Sequence, residues 1–291
     1  MIKKIKYFIE ALFIYVCFFI IKVIGINLSK KIFKFIFNFF GPLFKSKEII
    51  NNNLKKILNK NYKDKDKIIK DMWSNYGMIF VEYIFLKKFK NNTFKYNHIN
   101  IKGKEILKKI EKEKKPVIFV SGHFANFELM SMELTKHNIE LATIYRPLNN
   151  FFLNPFMEFL RKKYICKNQI KKGQSGMRSI VNYLNKNYSI ALMVDQRVSE
   201  GESLPFFNCN AFTTTLPAQL SLKYNYDIVP IYLSRINEHK FEMEIMKPIN
   251  TQNLKISKDS KISISIKINE ILEEMILKDP SQWILTHNRW K

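Results

Sequence analysis

The stretch PVIFVSGHFANFELMSMELTKHN, Pro116 to Asn138, decides how the chain folds. Pro116 to Ser121 is β-branched and aromatic, the texture of a strand buried on both faces. A helix is expected from about Asn126 to His137, with Asn126 as its N-cap. His123 falls in the turn between them, at the carboxyl end of a strand, where open α/β sheets bind ligands. Glu128 follows five residues on. On continuous helix those five steps turn through about 500°, which sets the side chains roughly 140° apart. The two can meet only if His123 lies in the turn and Glu128 in the first helical turn. A carboxylate on one ring nitrogen would then fix the tautomer and stabilise the imidazolium. The other nitrogen would be left to take a proton from an alcohol. The plainer reading is a structural histidine at a strand end, because H-x4-E alone is a common chance pattern.

Working outward, a charged helix over Lys104–Lys115 precedes this unit, and a strand over Leu141–Tyr145 follows it. Helices are expected over Asn154–Tyr164, Ser175–Lys186 and Leu216–Tyr226, and strands over Ile190–Val194 and Asp227–Leu233. Phe241–Met246 alternates apolar and acidic residues, as an edge strand does, and Ile262–Leu277 forms the last helix. Strands alternating with helices predict an α/β fold class, a mainly parallel central sheet flanked by helices, over residues 46–291.

Residues 1–45 read differently. Basic residues open the chain and an apolar run from Leu12 to Ile21 follows. With tilt and a snorkelling Lys22, Tyr7 to Ile26 could cross a bilayer. No A-x-A cleavage site follows, which speaks against a signal peptide; a buried soluble helix is the alternative. The next segment, from Ile32 to Phe40, is rich in phenylalanine and edged by lysines, with Gly41-Pro42 as an expected stop. It has the character of a helix lying in a membrane interface. Residues 1–45 are therefore read as a membrane-spanning or interfacial segment.

The 291 residues carry 46% hydrophobic side chains, enough for a sizeable core, and a net charge of +24. Lysine, asparagine and isoleucine are abundant from end to end, a bias that AT-rich coding would also produce. The charge favours anionic lipid, phosphorylated substrates, acidic proteins or nucleic acid as partners. No Lys/Arg-rich recognition helix stands out, so nucleic acid is disfavoured. Neither a G-x-x-x-x-G-K-[ST] loop nor a G-x-G-x-x-G loop occurs. The three cysteines, Cys17, Cys166 and Cys209, have no metal-ligand spacing, so neither a disulfide framework nor a metal site is expected.

Three further stretches accompany the histidine. Tyr145-Arg146-Pro147-Leu148-Asn149-Asn150 puts Arg146 just after a strand, where it can face the same crevice. Asp195-Gln196 ends another strand and leads through Phe206-Phe207 to Thr214-Thr215-Leu216-Pro217. DPSQWILTHNRWK, Asp279 to Lys291, closes the chain with Trp283, His287, Arg289 and Trp290. Each has a bland reading: an Arg-Pro turn, a strand-ending aspartate, an amphipathic tail.

Taken together, this series resembles the lipid A biosynthesis lauroyl/myristoyl acyltransferase family. The family's H-F-G-N-W-E segment appears as His123-Phe124-Ala125-Asn126-Phe127-Glu128. Its Y-R-P-x-x-N, D-Q, F-F and T-T-L-P segments are those quoted above, and its P-x-Q…H-x-R-[WF]-K ending spans Pro280 to Lys291. Ala125 and Phe127 depart from the family's Gly and Trp, Leu285 from an aromatic and Phe151 from a proline, which touches packing and acyl-chain fit. The resemblance implies transfer of a fatty acyl chain from acyl carrier protein to a hydroxyl of a lipid A precursor. The setting it implies is the bacterial inner membrane, with the catalytic domain on the cytoplasmic side. It implies His123 as general base with Glu128 orienting it. It also implies substrate contacts from Arg146, Asn126, Asn149, Asp195, Gln196 and Arg289. Without a G-x-S-x-G elbow, attack is expected to be direct, with the oxyanion held by Arg146 or by backbone amides after His123. No cofactor or metal is implied. A related acyltransferase with a glycerolipid, glycolipid or aminolipid acceptor fits the same residues, and a non-enzymatic basic membrane-binding module fits the charge.

Overall fold

A computed structural model describes residues 1–58, 64–251 and 254–291. Its strands are β1 (Ile99–Lys102), β2 (Ile118–Ser121), β3 (Leu141–Tyr145), β4 (Asn168–Lys171), β5 (Ser189–Met193), β6 (Glu202–Phe206), β7 (Cys209–Thr213), β8 (Ile228–Arg235) and β9 (Phe241–Ile245). Seven of them form one sheet in the order β1-β9-β8-β2-β5-β3-β4. Every pairing in it is parallel except β8 with β9. The expected mainly parallel sheet is therefore present. Phe241–Ile245 is not its edge, however, because β1, which gives no strong strand signal, pairs along its outer side.

The helices are α1 (Ile2–Ile24), α2 (Ile26–Phe44), α3 (Lys47–Leu58), α4 (Lys65–Glu82), α5 (Leu86–Lys90), α6 (Lys104–Glu113), α7 (Glu128–Lys136), α8 (Asn154–Leu160), α9 (Gln174–Leu184), α10 (Leu216–Tyr224) and α11 (Lys258–Lys278). Side chains alternate across the sheet, so one strand feeds two cores. Phe119 packs into the layer containing Leu129, Val229 and Leu233, whereas Ile118 and Val120 join the layer containing Leu220, Leu272 and Trp283.

β6 and β7 form a separate antiparallel hairpin that alternation did not reveal. Its two-residue turn, Phe207-Asn208, has φ of 51° and 57°. Such turns are normally flagged by Asn-Gly or Asp-Gly, and here a phenylalanine occupies the left-handed position.

α1 is long and apolar enough to cross a membrane, by length and composition. Gly25, at φ 82°, breaks it from α2. α2 runs three residues past Gly41, through Pro42, rather than stopping there. Pro42 forfeits one hydrogen bond in the final turn, and a bond from Asn38 Nδ2 to Ser74 Oγ (2.8 Å) ties the helix to α4 nearby. α4 approaches α2 closely because Gly77 has no Cβ, which would run into the Phe33 carbonyl. Between these helices lies a buried charge cluster. Glu82 is wholly buried and accepts from Arg235 Nη1 (2.6 Å) and Nη2 (2.9 Å), Lys30 Nζ (2.7 Å) and Asn126 Nδ2 (3.0 Å). Burial pushes the Glu82 carboxyl up, but the charges of Arg235 and Lys30 outweigh it and hold it at about 2.

One apolar face is left uncovered. Phe13 and Phe19 of α1 and Phe35, Phe39, Leu43 and Phe44 of α2 are all exposed. Phe151 and Phe152 extend it from the loop after β3, which is fastened to α1 by Tyr15 Oη donating to the Phe152 carbonyl (2.9 Å) and Asn150 Nδ2 donating to the Tyr7 carbonyl (2.8 Å). Exposed apolar side chains in this number suit a membrane or partner contact.

Candidate active site

Sheet order builds the site. β2 and β5 are parallel neighbours in which Ser121 lies opposite Met193, and Val194 N–H donates to the Ser121 carbonyl (2.9 Å). Two residues beyond each of those partners come His123 and Asp195, so register alone delivers them side by side at the carboxyl edge. Asp195, 0% exposed, accepts from His123 Nδ1 at 2.7 Å on one oxygen. Its other oxygen accepts the His123 backbone N–H (2.8 Å) and the Trp283 indole N–H (2.8 Å). Burial would raise the Asp195 carboxyl, yet the His123 charge and these hydrogen bonds hold it below the ordinary aspartate range. An ionised carboxylate on Nδ1 fixes the proton there and leaves Nε2 as a free lone pair.

The expected partner of His123 is thus replaced. Glu128 is the first residue of α7, as the geometry required, but helix begins there rather than at Asn126. Its Oε1 accepts from Tyr83 Oη (2.7 Å) and Arg161 Nε (2.7 Å). Burial, the charge of Glu128 and their hydrogen bond all push the Tyr83 hydroxyl upward; the Arg161 guanidinium, though partly desolvated, is also raised by the Glu128 charge. A cation and a phenol thus take the carboxylate, and Asp195 holds the imidazole.

The remaining residues separate into two groups. His123, Glu128, Arg146, Asn149, Gln196 and Arg161 line one open cavity of about 1080 Å³, with Lys171, Lys172 and Arg197 also on its wall. Asn126 and Arg289, expected to contact substrate, are placed elsewhere. Asn126 is buried, and its side-chain amide donates to Glu82 instead of capping α7. Arg289 is buried against the hairpin, donating to the Phe212 carbonyl (2.6 Å) and Thr213 Oγ1 (2.7 Å), over the Phe206 ring. Burial lowers its guanidinium to about 10. Tyr83, Arg161 and Trp283 were not foreseen as members of the site. Trp283 stood in a quoted motif, but nothing in linear spacing ties residue 283 to residue 195. Among the described residues, no group of three His, Cys, Asp or Glu side chains could hold a metal, and all three cysteines are free.

A second cavity, about 390 Å³, opens on the other side of His123. Its walls are Ile14 and Phe18 of α1, Phe37 of α2, Phe80 of α4, and Leu153 and Met157 around α8. His123, Phe127, Leu148 and Ile284 line both cavities. The imidazole therefore stands where a cation-lined space meets an apolar one walled in part by α1 and α2.

Fold and site together define an α/β protein with a carboxylate-held histidine lining both a cation-lined and an apolar cavity. Residues 2–291 match the family model of bacterial lipid A biosynthesis acyltransferases, and the chain belongs to that family. It is similar to the lipid A biosynthesis palmitoleoyltransferase of Escherichia coli K12, at 24% identity over 232 residues, covering 78% of this chain and 72% of that protein. A lipid A biosynthesis acyltransferase of Shigella flexneri is similar to the same extent. Family membership makes this chain an acyltransferase of lipid A synthesis.

Proposed function

We propose that the protein transfers a fatty acyl chain from an acyl carrier protein thioester to a hydroxyl of a lipid A precursor. The reaction takes place at the bacterial inner membrane, with residues 46–291 as the catalytic domain on the cytoplasmic side. His123 Nε2 takes the proton of the acceptor hydroxyl as its oxygen attacks the thioester carbonyl carbon. The tetrahedral adduct collapses, the C–S bond breaks, and the leaving thiolate receives that proton from His123. Asp195 acts through His123, fixing its tautomer and stabilising the imidazolium. Glu128 holds Arg161 on the wall of the cation-lined cavity and Tyr83 on that of the apolar one. Arg146, Asn149 and Gln196 contact the polar part of the substrates.

The observation that carries this reading is the position of His123 at the junction of the two cavities. An acyl chain suits the apolar one, whose walls include Ile14 and Phe18 of α1 and Phe37 of α2. The lysines and arginines of the other suit an acidic carrier protein and a phosphorylated acceptor, which a basic surface also steers. Residues 1–45 anchor the domain where such an acceptor lies.

The test is incubation of the purified protein with acyl carrier protein thioesters and candidate lipid acceptors, with products weighed by mass spectrometry. Wild type is expected to add one acyl chain to a lipid A precursor, and His123→Ala to add none while remaining folded and vesicle-bound. Near-normal turnover by His123→Ala would end the proposal.

A further inference from the structure

The closing segment places a second imidazole on the cavity wall. Trp283 is clamped beneath Asp195, and Asn53 Nδ2 donates to the carbonyls of both Leu285 (2.8 Å) and His287 (2.7 Å). Two residues on, Arg289 is buried against the hairpin. His287 is therefore held from both sides, half-buried, and it lines the cavity that His123 lines. Its Nε2 accepts the backbone N–H of Arg197, two residues beyond Asp195, at 3.0 Å. A ring nitrogen that accepts an amide proton carries none of its own, so the neutral ring bears its hydrogen on Nδ1. Burial lowers the pKa of His287 below the ordinary histidine value, and the Asp195 charge opposes that only in part. Among the described residues, no protein acceptor takes its Nδ1–H.

The two histidines are thus set to opposite polarity. His123, with Asp195 on Nδ1, offers a lone pair; His287, with an amide on Nε2, offers an N–H. Acyl transfer needs one of each: a lone pair for the hydroxyl proton and a donor for the charge that forms on the carbonyl oxygen. Arg146, the donor expected from sequence, is exposed on the cavity rim, and Arg161 is engaged by Glu128. From this arrangement we infer that His287 is a further catalytic residue, donating Nδ1–H to the thioester carbonyl oxygen. The inference rests on the acyl-transfer reading above. As the acceptor oxygen bonds to the carbonyl carbon, the C=O π pair moves onto oxygen and is held by this hydrogen bond without proton transfer. The hydroxyl proton goes to His123 and then to the departing thiolate.

Two substitutions separate this role from a structural one. In His287→Gln the amide oxygen reaches the place of Nε2, so the Arg197 N–H stays satisfied while the donor at Nδ1 is lost. In His287→Asn the amide nitrogen takes the place of Nδ1, so a donor remains while the Arg197 contact is lost. With the purified full-length protein in lipid vesicles, His287→Gln should lower kcat by about 10²-fold, the usual cost of one oxyanion donor. Its KM, melting temperature and pH profile should stay those of wild type, and His287→Asn should keep within roughly tenfold of wild-type kcat, a loss smaller than that cost. Wild-type kcat in His287→Gln, or equal losses in both variants with a lowered melting temperature, would overturn the assignment. Wild-type protein inert toward acyl thioesters would instead overturn the acyl-transfer reading beneath it.

Discussion

Replacing Asp195 with asparagine isolates the electrostatic part of the site. The carboxylate accepts from His123 Nδ1 (2.7 Å), the His123 backbone N–H (2.8 Å) and the Trp283 indole (2.8 Å). An asparagine can keep its oxygen on the last two, which fixes its orientation and turns its NH2 toward Nδ1. Two donors cannot share that bond, so the imidazole proton moves to Nε2 and the lone pair needed for the acceptor hydroxyl disappears. The imidazolium also loses a charge-assisted hydrogen bond, of the kind that contributes about 1.5–3 kcal/mol. In the Ser-His-Asp triad the same swap of carboxylate for amide lowers kcat by about 10⁴. We expect a fall of roughly 10³–10⁴ in kcat here, about 4–5.5 kcal/mol of barrier, with little change in KM. Single-turnover transfer from an acyl carrier protein thioester, read by mass spectrometry beside a thermal melt, measures it. An Asp195→Asn protein that folds normally and keeps more than a tenth of wild-type turnover would refute the reasoning.

Glu128→Gln should cost less than Asp195→Asn, because Glu128 meets Arg161 and Tyr83 rather than His123; a reversed order in kcat would return Glu128 to the imidazole. Glu82, held at about 2 against an ordinary value of 4.5, contributes stability that is fully present above pH 4.5 and is lost as pH falls toward 2. Glu82→Gln should therefore melt well below wild type at pH 7 and converge on it near pH 2, and a melting difference independent of pH would contradict the charge cluster. Ala125 sits at φ 43°, a left-handed position that costs a residue with a Cβ about 1–2 kcal/mol. The backbone entropy penalty of glycine, roughly 0.5–1 kcal/mol, is smaller. Ala125→Gly is thus expected to raise the melting temperature by a few degrees, and a fall would show that its methyl packs more than it strains. Phe39→Glu with Leu43→Glu should weaken co-sedimentation with anionic vesicles while leaving the fold intact, since both side chains are exposed. Undiminished sedimentation would move the membrane contact away from α2.

Much of the architecture was readable along the chain. β2, β3, β5 and β8 announce themselves as largely apolar runs, and the turn after Ser121 was expected to carry His123. β1 and β4 are four-residue strands of mixed polarity whose identity comes from the neighbour they pair with. The β6–β7 hairpin hid behind a Phe-Asn turn with no glycine. At the site, Arg146, Asn149 and Gln196 reach the cavity through strand ends that the sequence marks. Asn126 and Arg289 do not, because buried partners from α4 and the hairpin claim them.

By itself the sequence determined what depends on near neighbours: the strand-turn-helix around His123, the apolar N-terminal helices, the excess of positive charge. Tertiary structure alone decided which carboxylate the imidazole would meet. Glu128 is five residues away in the chain, yet Tyr83 and Arg161, at separations of 45 and 33 residues, bind it. Asp195 is 72 residues away and becomes the partner because β5 lies beside β2 in matching register. Hydrogen bonds and ion pairs act over a few ångströms of space, and chain separation does not encode that distance until the sheet has closed.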